Sequence, residues 1–102
     1  MIIQGTNIPI VITFNSDVSS CKKLVATLWI SNKLVKKWET EDMTIDRDTV
    51  TLPLDEDETR TFMKGNAMLD VKGLNIVDEI IFWEEAQIQI VERRDKEIDL
   101  IE

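Results

Sequence analysis

Short runs of alternating apolar residues, separated by clusters of turn formers, predict an all-β fold for this chain. About seven such runs fit within 102 residues, the arrangement of an antiparallel β-sandwich of immunoglobulin-like type. Thr, Val and Ile recur throughout and favour strands. Apolar residues make up 43% of the chain, enough for one core without disulfides or metals. The Cys–Trp–Cys pattern of antibody domains is missing.

Met1 to Gln4 is a short apolar lead-in closed by Gly5, Thr6 and Asn7. Ile8, Ile10, Ile12 and Phe14 alternate with Pro9, Val11 and Thr13, a half-buried strand. Pro9 cannot donate to a ladder, so the strand starts there or lies at an edge. Asn15 to Ser20 is a polar loop. Leu24, Ala26, Leu28 and Ile30 then alternate with Val25, Thr27 and Trp29, and two apolar faces predict a central strand. Ser31-Asn32-Lys33 turns the chain, with Asn32 best suited to a positive φ. Leu34 to Thr40 returns as its hairpin partner, with Lys36 outward and Trp38 inward.

Glu41 to Asp48 is acidic and reads as irregular, tacked to the core by Met43 and Ile45. Val50, Leu52 and Leu54 form a strand that Pro53 places at an edge or near its end. Asp55 stands three residues before Glu58, an acidic capping box, so one or two helical turns are expected over 56–63. Phe62 then covers the open end of the sandwich, and Gly65-Asn66 ends the helix. Ala67, Leu69 and Val71 alternate next, followed by a loop over 73–78. From Glu79 to Glu92 runs the last strand, in which Ile80, Phe82, Ala86, Ile88 and Ile90 share a parity that Glu84 breaks. The break predicts a bend or bulge near Trp83 to Glu85. The sandwich is therefore expected over 1–92, with a charged tail over 93–102 whose Ile98, Leu100 and Ile101 are available to a neighbouring subunit.

Composition narrows the chemistry. Histidine is absent, so neither a nucleophilic triad nor the usual general base is at hand. Cys21 is the only cysteine and forms neither an intramolecular disulfide nor a Cys-based zinc site. It reads as a packing residue, although Lys22 and Lys23 offer an argument for a lowered pKa. Glycoside hydrolysis needs two carboxyls across a cleft, whereas the acids here cluster on turns. Asp55, Asp57 and Thr59 are spaced like the start of a calcium loop, but Arg60 replaces the required glycine and Asn66 the closing glutamate. Asp46 and Asp48 are no better as a site. The expectation is no enzymatic activity, no metal and no cofactor.

The net charge of −8 is unevenly spread. Lysines 22, 23, 33, 36 and 37 lie between Val18 and Trp38 with no acid, whereas nine acids against Arg47 lie between Glu39 and Glu58. An acidic chain without interleaved Arg and aromatic residues is a poor match for nucleic acid. Two readings of the lysines stand side by side. Either they guard solvent-facing or edge strands against aggregation, or they form one pole of a bipolar surface that docks copies or partners head to tail. The apolar runs are too short to span a bilayer, and the start lacks a signal-peptide pattern, so cytoplasmic synthesis without a membrane partner is expected. Three tryptophans and no tyrosine also call for placement. Trp29, Trp38 and Trp83 either pack the core or, where Trp38 or Trp83 is exposed, anchor a protein interface.

The order of features resembles one family. "QGTNIPIVITF" is followed by the hairpin "KKLVATLWISNKLVKKWE", then by "DTVTLPLDEDETRTFMKGNAMLDVKG" and the closing strand "EIIFWEEAQIQIVER". This is similar to the N-terminal domain of phage baseplate upper proteins and to related immunoglobulin-like modules of tail and prophage genes in Gram-positive bacteria. The resemblance covers Gln4 to Glu92, with Gly5-Thr6 where members often have Gly-Asp. It implies a non-enzymatic module that joins tail or baseplate components, becomes virion-associated and binds protein partners, itself among them. The interface residues expected on this reading are Trp38, Trp83, Lys33, Lys36, Lys37, Asp55, Glu56, Asp57, Ile98 and Leu100. The alternative is a small recognition domain that binds a carbohydrate or peptide through exposed tryptophan and acids.

Overall fold

A computed structural model describes residues 1–15, 17–19, 21–77 and 79–92, and the statements below concern those residues. In chain order the strands are β1 (Ile2–Ile3), β2 (Ile10–Thr13), β3 (Lys23–Ile30), β4 (Lys33–Trp38), β5 (Thr44–Asp46), β6 (Thr49–Leu52), β7 (Gly65–Leu74) and β8 (Ile80–Val91). A 3-10 turn (Thr40–Asp42) follows β4, and one helix, α1 (Glu56–Thr61), lies between β6 and β7. A five-stranded sheet in the order β1-β8-β7-β3-β4 faces a three-stranded sheet in the order β2-β6-β5. The fold is the expected all-β sandwich, with an immunoglobulin-like strand order. One departure is that β1 runs parallel to β8, pairing Ile2 with Ile90 and Ile3 with Val91. The lead-in read as a mere preface is thus a strand.

Alternation carries the core. Leu24, Ala26, Leu28 and Ile30 on β3 and Ala67, Leu69 and Val71 on β7 are buried against Val50 and Leu52 of β6. Each large side chain removed from water contributes about 1.5–3 kcal/mol. As expected, β3 is an interior strand, paired with β4 on one side and β7 on the other. The β3–β4 turn is tighter than the sequence suggested. Ser31 (φ 51°) and Asn32 (φ 64°) alone form it, and Lys33 already belongs to β4 opposite Ile30. Two successive positive φ values match the right-handed twist of a hairpin. Val35 has no opposite residue, because Leu28 pairs with Lys36 and Trp29 with Leu34.

Several local expectations need correction. Residues 41–48 are not irregular: β5 and β6 form a second hairpin around Arg47-Asp48, with Arg47 at φ 56°. Strand β6 stops at Leu52 and lies in the middle of its sheet, so Pro53 marks its end and not an edge. Ile8 precedes β2 and is exposed. Helix α1 ends at Thr61 with Phe62 extended, whereas Gly65 (φ 130°) opens β7 opposite Ile90 and does not cap the helix. The irregularity in β8 lies at Ile81, since Gly73 pairs with Phe82 and Leu74 with Ile80. Pairing is unbroken through Trp83, Glu84 and Glu85. Ile80 and Ala86, expected inward, are exposed.

Two threonine hydroxyls finish what the strands leave undone. Beyond the last β4 pair, Ala26 with Trp38, the next residue of β3 on that face is Leu24. The Leu24 N–H donates to Thr40 Oγ1 (2.8 Å), and that hydroxyl donates to the Leu24 carbonyl (3.2 Å). Thr59, fully buried on α1, does the same for Thr6: it accepts from the Thr6 N–H (3.1 Å) and lies 2.7 Å from the Thr6 carbonyl. Replacing Thr59 by Val keeps the shape and removes both bonds, leaving the Thr6 amide and carbonyl without them. A loss of about 1–3 kcal/mol is expected on denaturant unfolding, with Thr59→Ser close to wild type; an unchanged midpoint for Thr59→Val would contradict this role.

Candidate functional site

The outward face of the five-stranded sheet can be traced residue by residue from its register. Lys37 of β4 pairs with Thr27 of β3, Thr27 with Asp70 of β7, and Asp70 with Glu85 of β8, so these four stand in one row across the sheet. The neighbouring rows carry Leu34, Trp29, Met68 and Gln87, and then Lys72 and Trp83. The Trp29 indole N–H donates to Thr27 Oγ1 (3.0 Å), which lays the ring along the face. The Lys72 ammonium sits 4.5 Å from the centre of the Trp83 ring, a cation–π contact that holds both side chains in place. Asp70 and Glu85 are directly opposed, and Asp70 Oδ1 is buried without a hydrogen-bond partner. Together with Trp29, Asn32 and Met68 these acids line a shallow open depression.

Beside Trp83 the β7–β8 hairpin is apolar and exposed. Ile76, Val77, Ile80, Ile81 and Trp83 all stand in solvent, with Trp83 at 52% exposure. Asn75 shapes the connecting loop, its Oδ1 accepting from the N–H groups of Val77 (3.0 Å) and Glu79 (2.9 Å). Several exposed apolar side chains on one hairpin are typical of interaction sites.

The sequence-predicted interface residues divide. Trp83 is exposed, as an anchor must be. Trp38 is not: it is 1% exposed and its indole N–H donates to the Pro53 carbonyl (2.8 Å), so the expectation of a surface anchor there is corrected. Lys33 and Lys37 are exposed on the edge strand β4, while Lys36 turns to the inner side and bonds Glu58 Oε2 at 2.6 Å. Asp55 caps α1 by accepting from the Asp57 N–H (3.1 Å), and Glu56 and Asp57 fill the first turn. Glu58 does not close the capping box that the sequence suggested, because Lys36 holds it. Lys37 also lies 3.5 Å from Glu39. The lysine segment and the acidic segment are therefore neighbours that partly neutralise each other, and not opposite poles. Ile98 and Leu100 lie outside the described residues, as does the rest of the 93–102 tail.

The exposed Ile76, Val77, Ile80 and Ile81 were not among the expected interface residues: Ile76 and Val77 lie in the expected loop over 73–78, and Ile80 was expected inward. The signal available was Glu84, whose break in parity marked a strand that leaves the cover of the second sheet. Among the described residues no group of three or more His, Cys, Asp or Glu side chains is placed to hold a metal ion. No described helix is long and apolar enough to cross a membrane. Cys21 packs against the core, and burial, followed by the nearby Asp17 carboxylate, pushes its thiol pKa up. The lysines beside it in sequence do not produce the lowering considered above.

Searched against protein-family models and curated proteins, the chain matches no family and no sequence.

A raised thiol pKa means less thiolate at neutral pH. Alkylation of Cys21 in the native protein is expected to be slower than in the denatured chain. An equal or faster native rate, followed by mass spectrometry, would contradict this placement.

Proposed function

We propose that this chain is a non-enzymatic protein-interaction module whose sandwich docks onto components of a phage or prophage tail or baseplate. The observation that carries the docking reading is the apolar hairpin tip, Ile76, Val77, Ile80, Ile81 and Trp83, held out in water. Leaving that surface exposed forgoes its burial, which a partner would recover. Trp83 is pre-positioned by Lys72, so little side-chain freedom is lost on docking. The opposed Asp70 and Glu85 beside it fit a partner that brings an arginine or lysine.

The tail and baseplate assignment rests on the resemblance in feature order from Gln4 to Glu92. The sandwich fold agrees with it without being specific to it, since folds of this kind host many functions. The carbohydrate reading is less well supported. One approach to the Trp83 ring is taken by the Lys72 ammonium, and the depressions on this face are shallow and open.

The test is affinity capture against purified phage tail and baseplate proteins of Gram-positive hosts, using the full chain and an Ile81→Asp/Trp83→Ala variant checked for native circular dichroism. The expected result is capture of a tail or baseplate protein, weakened at least about tenfold in the variant, as for loss of a central aromatic anchor. Failure to capture any of them would overturn the assignment, and undiminished capture by the variant would overturn the site.

A further inference from the structure

The five-stranded sheet has two open margins of opposite charge. On one side β4 pairs only with β3, and among the described residues no strand lies beyond it. Its exposed charged side chains are Lys33 and Lys37. On the other side β1 covers β8 only at Ile90 and Val91. From Ile80 to Gln89 the margin of β8 away from β7 has no described strand beside it, and its charged residues are Glu84 and Glu85, both exposed. Unpaired N–H and C=O groups along a strand margin are a template for another strand.

Charge restricts which strand that can be. Two β8 margins brought together in antiparallel fashion around their midpoint place Glu84 and Glu85 against their own copies. Two β4 margins gather the lysines of both copies along one seam. Like charges directly opposite are unfavourable in a sheet. A β4 margin against a β8 margin brings opposite charges together instead.

The geometry permits this without turning a copy over. Strand β3 is antiparallel to both β4 and β7, and β7 is antiparallel to β8, so β4 and β8 run in opposite directions. A second copy moved sideways along the sheet therefore presents its β8 antiparallel to the first copy's β4, with outer faces aligned. Lys37, Thr27, Asp70 and Glu85 lie in one cross-strand row. Extending that row sets Lys37 of one copy opposite Glu85 of the next.

We propose that copies of this chain associate head to tail through β4 of one and β8 of the next, extending the five-stranded sheet from copy to copy. Such a contact is heterologous, so it closes into a ring or continues as a filament according to the accumulated sheet twist. The proposal deepens the reading of the chain as an assembly module and names a second copy as one partner.

The test is sedimentation of the purified full chain across concentration and salt. Wild-type protein is expected to form species larger than a dimer at low salt and to dissociate as the Debye length falls toward about 3 Å near 1 M salt. Lys33→Glu/Lys37→Glu, with two acidic margins, and Glu84→Lys/Glu85→Lys, with two basic ones, should each associate roughly tenfold more weakly. An equimolar mixture of the two variants should regain assembly, a recovery that misfolded variants would not show. A wild-type monomer at every salt concentration would overturn the proposal, as would variants that assemble like wild type. Deletion of 93–102 that abolishes assembly, with the charge variants unaffected, would overturn it in favour of the tail. A monomer that still captures tail proteins leaves the functional reading standing, whereas self-assembly without tail capture leaves only the strand pairing.

Discussion

Trp38 ties the edge strand of the large sheet to the segment that leaves the small one. It closes the edge strand β4, its ring is buried with the inner faces of both sheets, and its indole N–H reaches the carbonyl of Pro53. Pro53 begins the crossing from β6 in the small sheet to β7 in the large one. The small sheet has only three strands of three or four residues, too little to cover the large sheet alone. Leu54 and Phe62, at the two ends of the crossing, are buried in the same core. The crossing works as part of the second layer, and the Trp38–Pro53 bond fixes where it starts.

The same economy appears where strands run out. Thr40 and Thr59 each use one hydroxyl to meet a backbone amide and carbonyl that no neighbouring strand reaches. A side chain that supplies donor and acceptor together can stand in for a missing residue of a ladder. Thr59 ties α1 to the chain just after β1, and Gln4 of that segment donates through its side-chain amide to the Phe62 carbonyl. The start of the chain, the crossing helix and the core are thus linked although far apart in sequence.

How much of this was legible follows from the physics of each signal. The β3–β4 hairpin could be read because alternation and an Asn-containing turn agree, and only the length of the turn was misjudged. The β5–β6 hairpin was hidden because Arg47, an uncommon residue at positive φ, occupies the turn in place of Gly or Asn. Lys36 and Trp38 share a parity, so Lys36 outward with Trp38 inward could not both hold in one regular strand. Both face inward, opposite Leu28 and Ala26, and the Trp38 bond to Pro53 depends on a tertiary approach that no local pattern encodes. The parity break at Glu84 predicts a bend or bulge over Trp83 to Glu85, whereas the bulge lies at Ile81. Glu84 itself is regularly paired, in a part of the strand where residues of both faces meet water. Lysine and acid runs separated in sequence looked like poles, yet the fold brings Lys36 onto Glu58. Charge separation along a chain is not charge separation in space.

The outcome is a division of labour among tryptophans that residue type alone does not reveal: Trp38 locks the interior and Trp83 faces outward. Hydrogen exchange of the indole N–H groups, followed by NMR, tests that division most directly. The Trp38 proton should exchange only through global unfolding, in parallel with the slowest amides of β3 and β7, while the Trp83 proton exchanges about as fast as in the unfolded chain. A Trp38 indole that exchanges as fast as that of Trp83 would contradict the account, because the crossing would then not be held where the sandwich needs it.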